Sequence, residues 1–382
     1  MKLADKNSCV GCGACANACA FDALRMTQDS EGFYVPVLAA DQCKECGACE
    51  KVCQINANAE NVLERSDFFA CRSQDAKIAR GSSSGGMFAE CAKKVLAEGG
   101  AVFGAALTED CKSLIHTSTD EVPLEKLQKS KYFESDMGDV FRKMKKELAN
   151  GRKVLFCGTP CQATAVRAFF GRRYENLIVL DFLCHGAPSQ KAYRKYVEDL
   201  ERKRGDVVAN VDFRSKKLGW RTYCMYVEFK SGKKYLQPGS ADPYFRFFFS
   251  KKGLRNSCYT CNRADCSAAD ITLGDFWGVK DYPKIKDDDA GLSLVSTHTE
   301  QGKEFFAAVA KNIDVTPLEF DAVSYAYGRA PRKKPEERID FDAFDFFNNS
   351  VFKPLTLRMK IRMFVLRNNA LRNLFRRLRG GI

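Results

Sequence analysis

The stretch Cys9-Val-Gly-Cys12-Gly-Ala-Cys15-Ala-Asn-Ala-Cys19 holds four cysteines in the spacing C-x2-C-x2-C-x3-C. The same spacing returns 34 residues later, where it consists of Cys43, Cys46, Cys49 and Cys53. In two-cluster iron–sulfur proteins, each close triplet supplies three thiolates to one [4Fe–4S] cluster and the fourth Cys binds the other cluster. The spacing therefore predicts two clusters, one held by Cys9, Cys12, Cys15 and Cys53 and the other by Cys43, Cys46, Cys49 and Cys19.

Two other uses of these cysteines fit less well. A structural zinc site takes four ligands, usually as two separated pairs, and leaves a third close Cys unused. A disulfide framework is typical of short secreted chains. The segment instead resembles a bacterial-type two-cluster ferredoxin, although Ala20 and Gln54 stand where that pattern has Pro. Proline shapes the turn and binds no metal, so the departure leaves the predicted ligands in place.

The composition is that of an ordinary globular protein with an unusual number of cysteines. The 382 residues are 45% hydrophobic, enough for two or three domains with normal cores. The N-terminal residues lack the apolar region of a signal peptide, and no run reaches the roughly 18 apolar residues that span a bilayer. Eighteen cysteines, most of them assigned as metal ligands, suit a reducing compartment. We therefore expect a cytoplasmic protein.

The net charge of +13 depends largely on the C-terminal tail. From residue 346 onward there are nine Lys or Arg and no acidic residue, while residues 1–60 carry five basic and eight acidic side chains. This distribution argues against nucleic-acid binding. Apolar and basic residues alternate at helical spacing over residues 353–379, which predicts an amphipathic helix. Such a helix could pack on its own domain, or could dock at the periphery of an anionic membrane or on an acidic partner such as a ferredoxin.

A glycine- and serine-rich turn precedes the first long predicted helix. The turn runs Arg80-Gly-Ser-Ser-Ser-Gly-Gly86, and a helical pattern follows from Met87 to Glu98. Exposed N–H groups at such a helix start attract phosphate, which makes Ser83, Ser84, Gly85 and Gly86 candidate cofactor-binding residues. The alternative is a plain serine N-cap after a flexible loop.

The middle of the chain alternates strands and helices. Lys153–Cys157 is a short apolar strand followed by a turn and a helix at Cys161–Phe170, and Leu177–Phe182 is the next buried strand. Residues 206–237 show two-residue periodicity, which predicts a β-hairpin insertion. The fold class is therefore α/β, with α+β character from the insertion.

A third group of cysteines is scattered over this region. Cys161 and Cys184 each follow a predicted strand, at the sheet edge where α/β proteins gather ligands, and Cys258 and Cys261 form a C-x2-C pair. These four could meet around a third [4Fe–4S] cluster, with redox-active or zinc-bound thiols as alternatives. Cys157 and Cys266 are the reserve ligands.

The remaining cysteines and two of the three histidines favour structural roles. Isolated cysteines in apolar surroundings are commonly buried, and we expect this of Cys71, Cys91, Cys111 and Cys224. His116 and His298 lie in predicted strands away from other ligands. His185, beside Cys184, is the only histidine that we would test for function.

The later motifs resemble the β-subunit family of coenzyme F420 hydrogenase and dehydrogenase. They are Ser84-Gly85-Gly86, Lys131-Tyr132, Gly158-Thr159-Pro160-Cys161-Gln162, Cys184-His185-Gly186, Cys258-x2-Cys261 and Asp270-Ile-x2-Gly-Asp-Phe-Trp-Gly278. The resemblance covers about residues 65–330, and with the N-terminal module it is similar to bacterial members found among polysaccharide-synthesis genes. It implies FAD and a [4Fe–4S] cluster in this region, with Lys131, Tyr132 and Thr159 near the flavin. The resemblance does not imply that this chain uses F420 itself.

These observations predict four parts and one function. The parts are a two-cluster ferredoxin-like domain over 1–60, a flavin-binding region over 65–150, a region with the third cluster over 151–340, and a basic amphipathic tail over 341–382. The predicted function is an iron–sulfur flavoprotein oxidoreductase that relays electrons between a ferredoxin-like carrier and FAD, acting on a small-molecule substrate. The alternative is a non-catalytic electron-transfer subunit of a larger redox complex.

Overall fold

The structure is a computed structural model, and it describes residues 3–56, 61–171, 173–263, 266–285, 288–327 and 332–348. The predicted amphipathic tail over 353–379 lies outside these residues. Among the helices that are described, none has both the length and the apolar character that crossing a bilayer requires.

Strands and helices alternate along most of the chain. The strands are β1 Leu24–Gln28, β2 Tyr34–Leu38, β3 Asp67–Ser73, β4 Ala101–Leu107, β5 Leu114–Ser118, β6 Val154–Cys157, β7 Leu177–Phe182, β8 Val208–Ser215, β9 Cys224–Phe229, β10 Lys234–Pro238, β11 Ile271–Asp275, β12 Ser293–Thr297 and β13 Ile313–Leu318. The helices are α1 Ala14–Ala18, α2 Ala48–Lys51, α3 Ala76–Gly81, α4 Met87–Ala97, α5 Leu124–Leu127, α6 Val140–Ala149, α7 Pro160–Phe170, α8 Gln190–Arg204, α9 Pro243–Ser250 and α10 Glu300–Val309.

An eight-stranded mixed sheet forms the centre of the molecule. Its strand order is β13-β3-β12-β11-β7-β6-β4-β5. The pairs β4 with β6, β6 with β7, and β7 with β11 are parallel, whereas the outer pairs are antiparallel. Val154 to Phe156 and Leu177 to Leu180 are buried, as expected of central parallel strands covered on both faces. The predicted α/β class is therefore confirmed, and β6 and β7 lie close to where the apolar runs predicted them.

The predicted β-hairpin is part of a larger unit. Strands β9 and β10 pair antiparallel as expected, and β8 adds a third strand to make a separate sheet. The apolar side chains of this sheet pack on α8 and α9 in a cluster that includes Tyr193, Tyr196 and Phe245. The sheet therefore covers a second core beside the central one.

The cysteine-rich N-terminal segment is built from two similar halves and is packed on the rest of the chain. Gly13 and Gly47 occupy the N-cap positions of α1 and α2 with φ of 72° in both cases. Only glycine adopts this left-handed conformation at little cost. Ala14, which is 1% exposed, shares a hydrophobic cluster with Met137 and Phe141. The segment and the central sheet therefore have a common core.

Helix α6 begins later than its sequence pattern suggests. The residues from about Asp136 to Ala149 follow a helical pattern with many charges, but the helix begins at Val140. The reason is that the Asp136 carbonyl accepts the N–H of His116 at 2.7 Å, while the N–H of Asp136 donates to the Leu114 carbonyl. These bonds hold the segment extended beside β5, and Gly138, with φ of 46°, then turns the chain into the helix.

Candidate iron–sulfur and flavin sites

The first cysteine of each N-terminal set has the same local geometry. The backbone N–H of Gly11 points at the Cys9 thiol with an N–S distance of 3.5 Å, and that of Glu45 points at the Cys43 thiol at 3.4 Å. Gly11 and Glu45 both have positive φ, 68° and 50°. Hydrogen bonds from the backbone to cluster sulfurs are a means by which proteins set cluster potentials. The repeat in the sequence is thus a repeat in the backbone as well.

The thiols of the first predicted set lie within electrostatic range of one another. Burial, together with the nearby Cys9 and Cys53 thiols, raises the pKa of the Cys15 thiol to about 12. Burial also raises the pKa of Cys12, again with contributions from Cys15 and Cys9. The set that the spacing predicted therefore comes together around one place.

The second predicted set surrounds a small cavity. All four of its cysteines are among the lining residues, namely Cys19, Cys43, Cys46 and Cys49. Burial raises the pKa of Cys49, and Cys19 is near enough to raise it further. Cys46 is exposed. Cys261 of the third set is exposed as well, so the second and third sets both reach the surface.

The third set is assembled by two loops that run side by side. The Arg332 guanidinium donates to the carbonyl of Cys258 at 2.8 Å and to that of Cys184 at 2.7 Å. The Cys184 thiol accepts the N–H of Gly186 at 3.4 Å, as the first thiols of the other two sets accept theirs. Burial, together with the nearby Cys261 and Cys258 thiols, raises the pKa of Cys161 to about 12. The four predicted cysteines are thus brought together.

The reserve ligands lie elsewhere. Burial raises the pKa of Cys157 to about 12, and the charged groups nearest to it are Asp181 and Lys131, not the third cysteine set. Cys266 lines a separate cavity together with Arg167 and His298. The placement therefore favours the original four residues.

The chemistry of the three sets fits a cluster better than a single ion. Within the described ranges, no group of three or more His, Cys, Asp or Glu side chains is arranged to hold one metal ion. A [4Fe–4S] cluster attaches each thiolate to a different iron, so its ligands need not converge on one point.

A buried arginine lies between the first and third sets. Arg255 Nη1 donates to the Cys9 carbonyl at 3.1 Å, and Arg255 Nη2 donates to Glu134 Oε2 at 2.8 Å. Burial raises the pKa of Cys9, while the positive charge of Arg255 lowers it. The charge of Arg255 also lowers the pKa of Cys161. The Cys12 and Cys161 thiols are also close enough to interact electrostatically. The first and third sets are therefore neighbours.

The predicted flavin residues fall into three places. Ser83 and the Lys131 loop are joined, because the N–H of Ser130 donates to Ser83 Oγ at 2.9 Å. The Lys131 amine donates to three backbone carbonyls at 2.5 to 3.0 Å, and burial lowers its pKa to about 7. Tyr132 lies in an aromatic cluster with Phe245, and Thr159 caps α7 beside Cys161, with its Oγ1 3.1 Å from the thiol.

Gly85 packs closely against strands β3 and β12. Its N–H donates to Ser293 Oγ at 2.9 Å, so this group is not available to a phosphate. A Cβ at this position would lie 2.3 Å from the carbonyl oxygen of Cys71 and 2.8 Å from the nitrogen of Ser293. Any larger residue at Gly85 would therefore disturb β3 and β12.

The residues expected to be structural are buried or hydrogen bonded. Cys71, Cys91, Cys111 and Cys224 are all buried, as predicted. His298 lies between Ser66 and Thr272, and burial lowers its pKa to about 4. His116 likewise bonds to Ser135 and to the Cys157 carbonyl. His185 is exposed.

Sequence reasoning missed the charged residues that hold the sites together. Arg255 and Glu134 each stand alone in the sequence, Arg332 begins a short basic run with Lys333 and Lys334, and none of the three is part of a recognisable spacing. Asp275 and Trp277 carry a signal only within the motif that ends at Gly278. Arg214 donates to Asp275 Oδ2 at 2.9 Å, and Trp277 stacks on Trp220 with ring centroids 4.4 Å apart. A buried arginine in a polar loop carries no signal that distinguishes it from an exposed one.

Comparisons with known proteins identify two parts of the chain. Residues 151–321 match the family described as the C terminus of the coenzyme F420 hydrogenase/dehydrogenase beta subunit, and residues 8–57 match the 4Fe-4S dicluster domain. A solved structure of the F420-reducing [NiFe] hydrogenase complex from Methanosarcina barkeri aligns with a TM-score of 0.47 and 20% identity, covering 66% of this chain and 81% of that chain. A comparison with curated proteins found no match. The two family matches indicate a role in redox electron transfer. Residues 151–321 therefore belong to the coenzyme F420 hydrogenase/dehydrogenase β-subunit family, and residues 8–57 to the 4Fe-4S dicluster domains.

Proposed function

We propose that the chain is an iron–sulfur flavoprotein oxidoreductase that relays electrons between a one-electron carrier and FAD. The observation that carries the proposal is that the cysteine sets lie within electrostatic range of one another. Cys15 of the first set interacts with Cys49 of the second, and Cys12 of the first interacts with Cys161 of the third. Three clusters held by these sets would follow one another in a series, with one exposed cysteine at each end, Cys46 in the second set and Cys261 in the third.

The exposure of the cysteines in this series suggests where the outside carrier docks. The second set contains the exposed Cys46 and lies in a segment with more acidic than basic residues. The outside carrier would therefore exchange electrons at one of the two exposed cysteines, Cys46 or Cys261, and at Cys46 it would need a basic surface. The first set, covered by Arg255 and by the core that includes Ala14, lies further inside.

The flavin is proposed at the junction of Ser83, the Lys131 loop and the start of α4. FAD accepts electrons singly and can pass them on as a hydride, which is the conversion that such a relay needs. Gly86 at the N-cap of α4 is buried and, as a glycine, has no side chain with which to cap the helix. The N–H groups of a helix's first turn attract an anion, and the pyrophosphate of FAD would accept their hydrogen bonds. The domain limits at residues 60, 65, 150 and 340 belong to the same proposal.

Replacing Ser83 with aspartate should expel the flavin and keep the fold. The aspartate carboxylate can accept the N–H of Ser130 that Ser83 Oγ accepts now, but its charge would repel a neighbouring phosphate. Ser83→Asn is the matched control, because it accepts the same bond and carries no charge. We expect FAD content to fall at least tenfold in Ser83→Asp only, as measured by absorbance after anaerobic purification.

The iron content provides the internal check on that experiment. It should be the same in both Ser83 variants, because Ser83 lies in none of the three cysteine sets. If the two variants contain equal amounts of flavin, the phosphate of FAD does not bind next to Ser83.

Purified protein that contains both iron and flavin should also reduce a small-molecule acceptor without another protein. Anaerobic turnover of an artificial two-electron acceptor, with reduced ferredoxin as donor, tests this directly. Electron uptake without any turnover would favour the alternative, a non-catalytic electron-transfer subunit whose chemistry takes place on a partner.

A further inference from the structure

An arginine-lined cavity lies apart from the three cysteine sets. Its volume is about 290 Å³, near the lower end of the range for small-molecule sites. The lining includes four arginines, which are Arg65, Arg167, Arg173 and Arg263. Among the residues that the structure describes, no Asp or Glu lines it. The cavity is therefore strongly positive.

Arg167 has a buried donor that remains unused. Its Nη2 donates to Asp270 Oδ2 at 2.5 Å and its Nε to the Ala268 carbonyl at 3.2 Å. Its Nη1 is buried and has no hydrogen-bond partner among the described residues. A buried donor without an acceptor costs free energy, so an acceptor in the cavity would be stabilising.

The arginine side chains lie close together, and the Asp270 carboxylate pairs with two of them, Arg167 and Arg173. Arg173 Nη1 donates to the other oxygen of Asp270 at 3.2 Å. Burial lowers the pKa of Arg167, and Arg173 lowers it further by repulsion. Arg263 reaches the N-terminal segment, where its Nη2 donates to the Gln54 carbonyl at 3.3 Å. An anion with several oxygens would relieve this repulsion.

We propose that this cavity binds a phosphate group, carried either by inorganic phosphate or by a nucleotide. Guanidinium forks match phosphate oxygens in geometry and charge, and several forks around one cavity favour a multiply charged oxyanion over a carboxylate. The site goes beyond the redox proposal and does not depend on it. Its location next to Gln54 places the bound anion where the N-terminal segment meets the central domain.

Titration calorimetry on the anaerobically purified full chain, at low salt, tests the site with inorganic phosphate and with AMP. We expect saturable binding of one anion per chain. The double variant Arg173→Gln/Arg263→Gln should bind at least tenfold more weakly, because each arginine supplies a charge-assisted hydrogen bond. The Arg173 side chain is 57% exposed and Arg263 is only half-buried, so the variant should fold. Lys145→Gln, which removes an exposed charge on α6, is the control and should bind normally.

The same experiment identifies the source of the phosphate. Tighter binding of AMP than of phosphate indicates a nucleotide, and equal binding indicates the free ion. The double variant should keep its flavin and its iron, because FAD is proposed at the start of α4 and not in this cavity. The proposal fails if neither anion binds to the parent, or if the double variant binds both anions as the parent does.

Discussion

Replacing Cys258 and Cys261 together with serine should lower the iron content from about twelve atoms per chain to about eight. The reason is that these two residues supply half of the ligands of the proposed third cluster, and a cluster with two thiolates left is not retained. The two N-terminal clusters should remain, because their eight cysteines lie in other segments. Iron and sulfide analysis of anaerobically prepared protein measures the loss.

Cys224→Ser is the matched control for this double variant. Cys224 is also buried, and its thiol donates to the Ser215 carbonyl at 3.3 Å, a bond that a serine hydroxyl can make. It belongs to none of the three sets, so its replacement should leave the iron content unchanged. If the Cys258→Ser/Cys261→Ser variant keeps all of its iron, these two residues do not hold a third cluster.

Replacing Arg255 with methionine should destabilise the protein by about 3–5 kcal/mol. Arg255 and Glu134 are 5% and 9% exposed, and the change leaves the Glu134 carboxylate buried without its partner. It also removes the bonds from Arg255 to the carbonyls of Cys9 and Tyr34. Urea unfolding under anaerobic conditions gives the free energy of unfolding.

Two further variants show whether the buried charge is the cause. In Arg255→Met/Glu134→Gln the unpaired carboxylate is gone, so part of the lost stability should return. Lys143→Met breaks an ion pair with Glu121 in which both side chains are more than one third exposed, and should cost less than about 1 kcal/mol. If Arg255→Met is as mild as Lys143→Met, Arg255 does not hold the N-terminal segment in place.

The parts of the site that the sequence predicted are those encoded by short-range patterns. The three cysteine sets follow from spacing and from the positions of Cys161 and Cys184 after two apolar strands. The same holds for β6 and β7, whose buried runs are continuous. These features are local, since a few neighbouring residues determine them.

The parts that the sequence did not reveal depend on distant residues. Strand β3 pairs with β12 and β13, which are more than 200 residues away in the chain. Of the three, only the region of β12, beside His298, was predicted as a strand. Gly85 was interpreted as a phosphate-binding residue, although it is needed for the close approach of Cys71 and Ser293. The ion pair of Arg255 and Glu134 joins residues 121 positions apart. Such partners come together only in the folded structure, so the type of each residue and its neighbours in the sequence do not identify them.

Electron paramagnetic resonance of the fully reduced protein tests the central claim, that the three cysteine sets hold neighbouring clusters in one relay. The account predicts signals broadened and split by magnetic interaction between clusters. In Cys258→Ser/Cys261→Ser the interaction of the first cluster with the third should disappear, and that of the first with the second should remain. Spectra that are a simple sum of isolated clusters, unchanged by the double substitution apart from intensity, would contradict the relay.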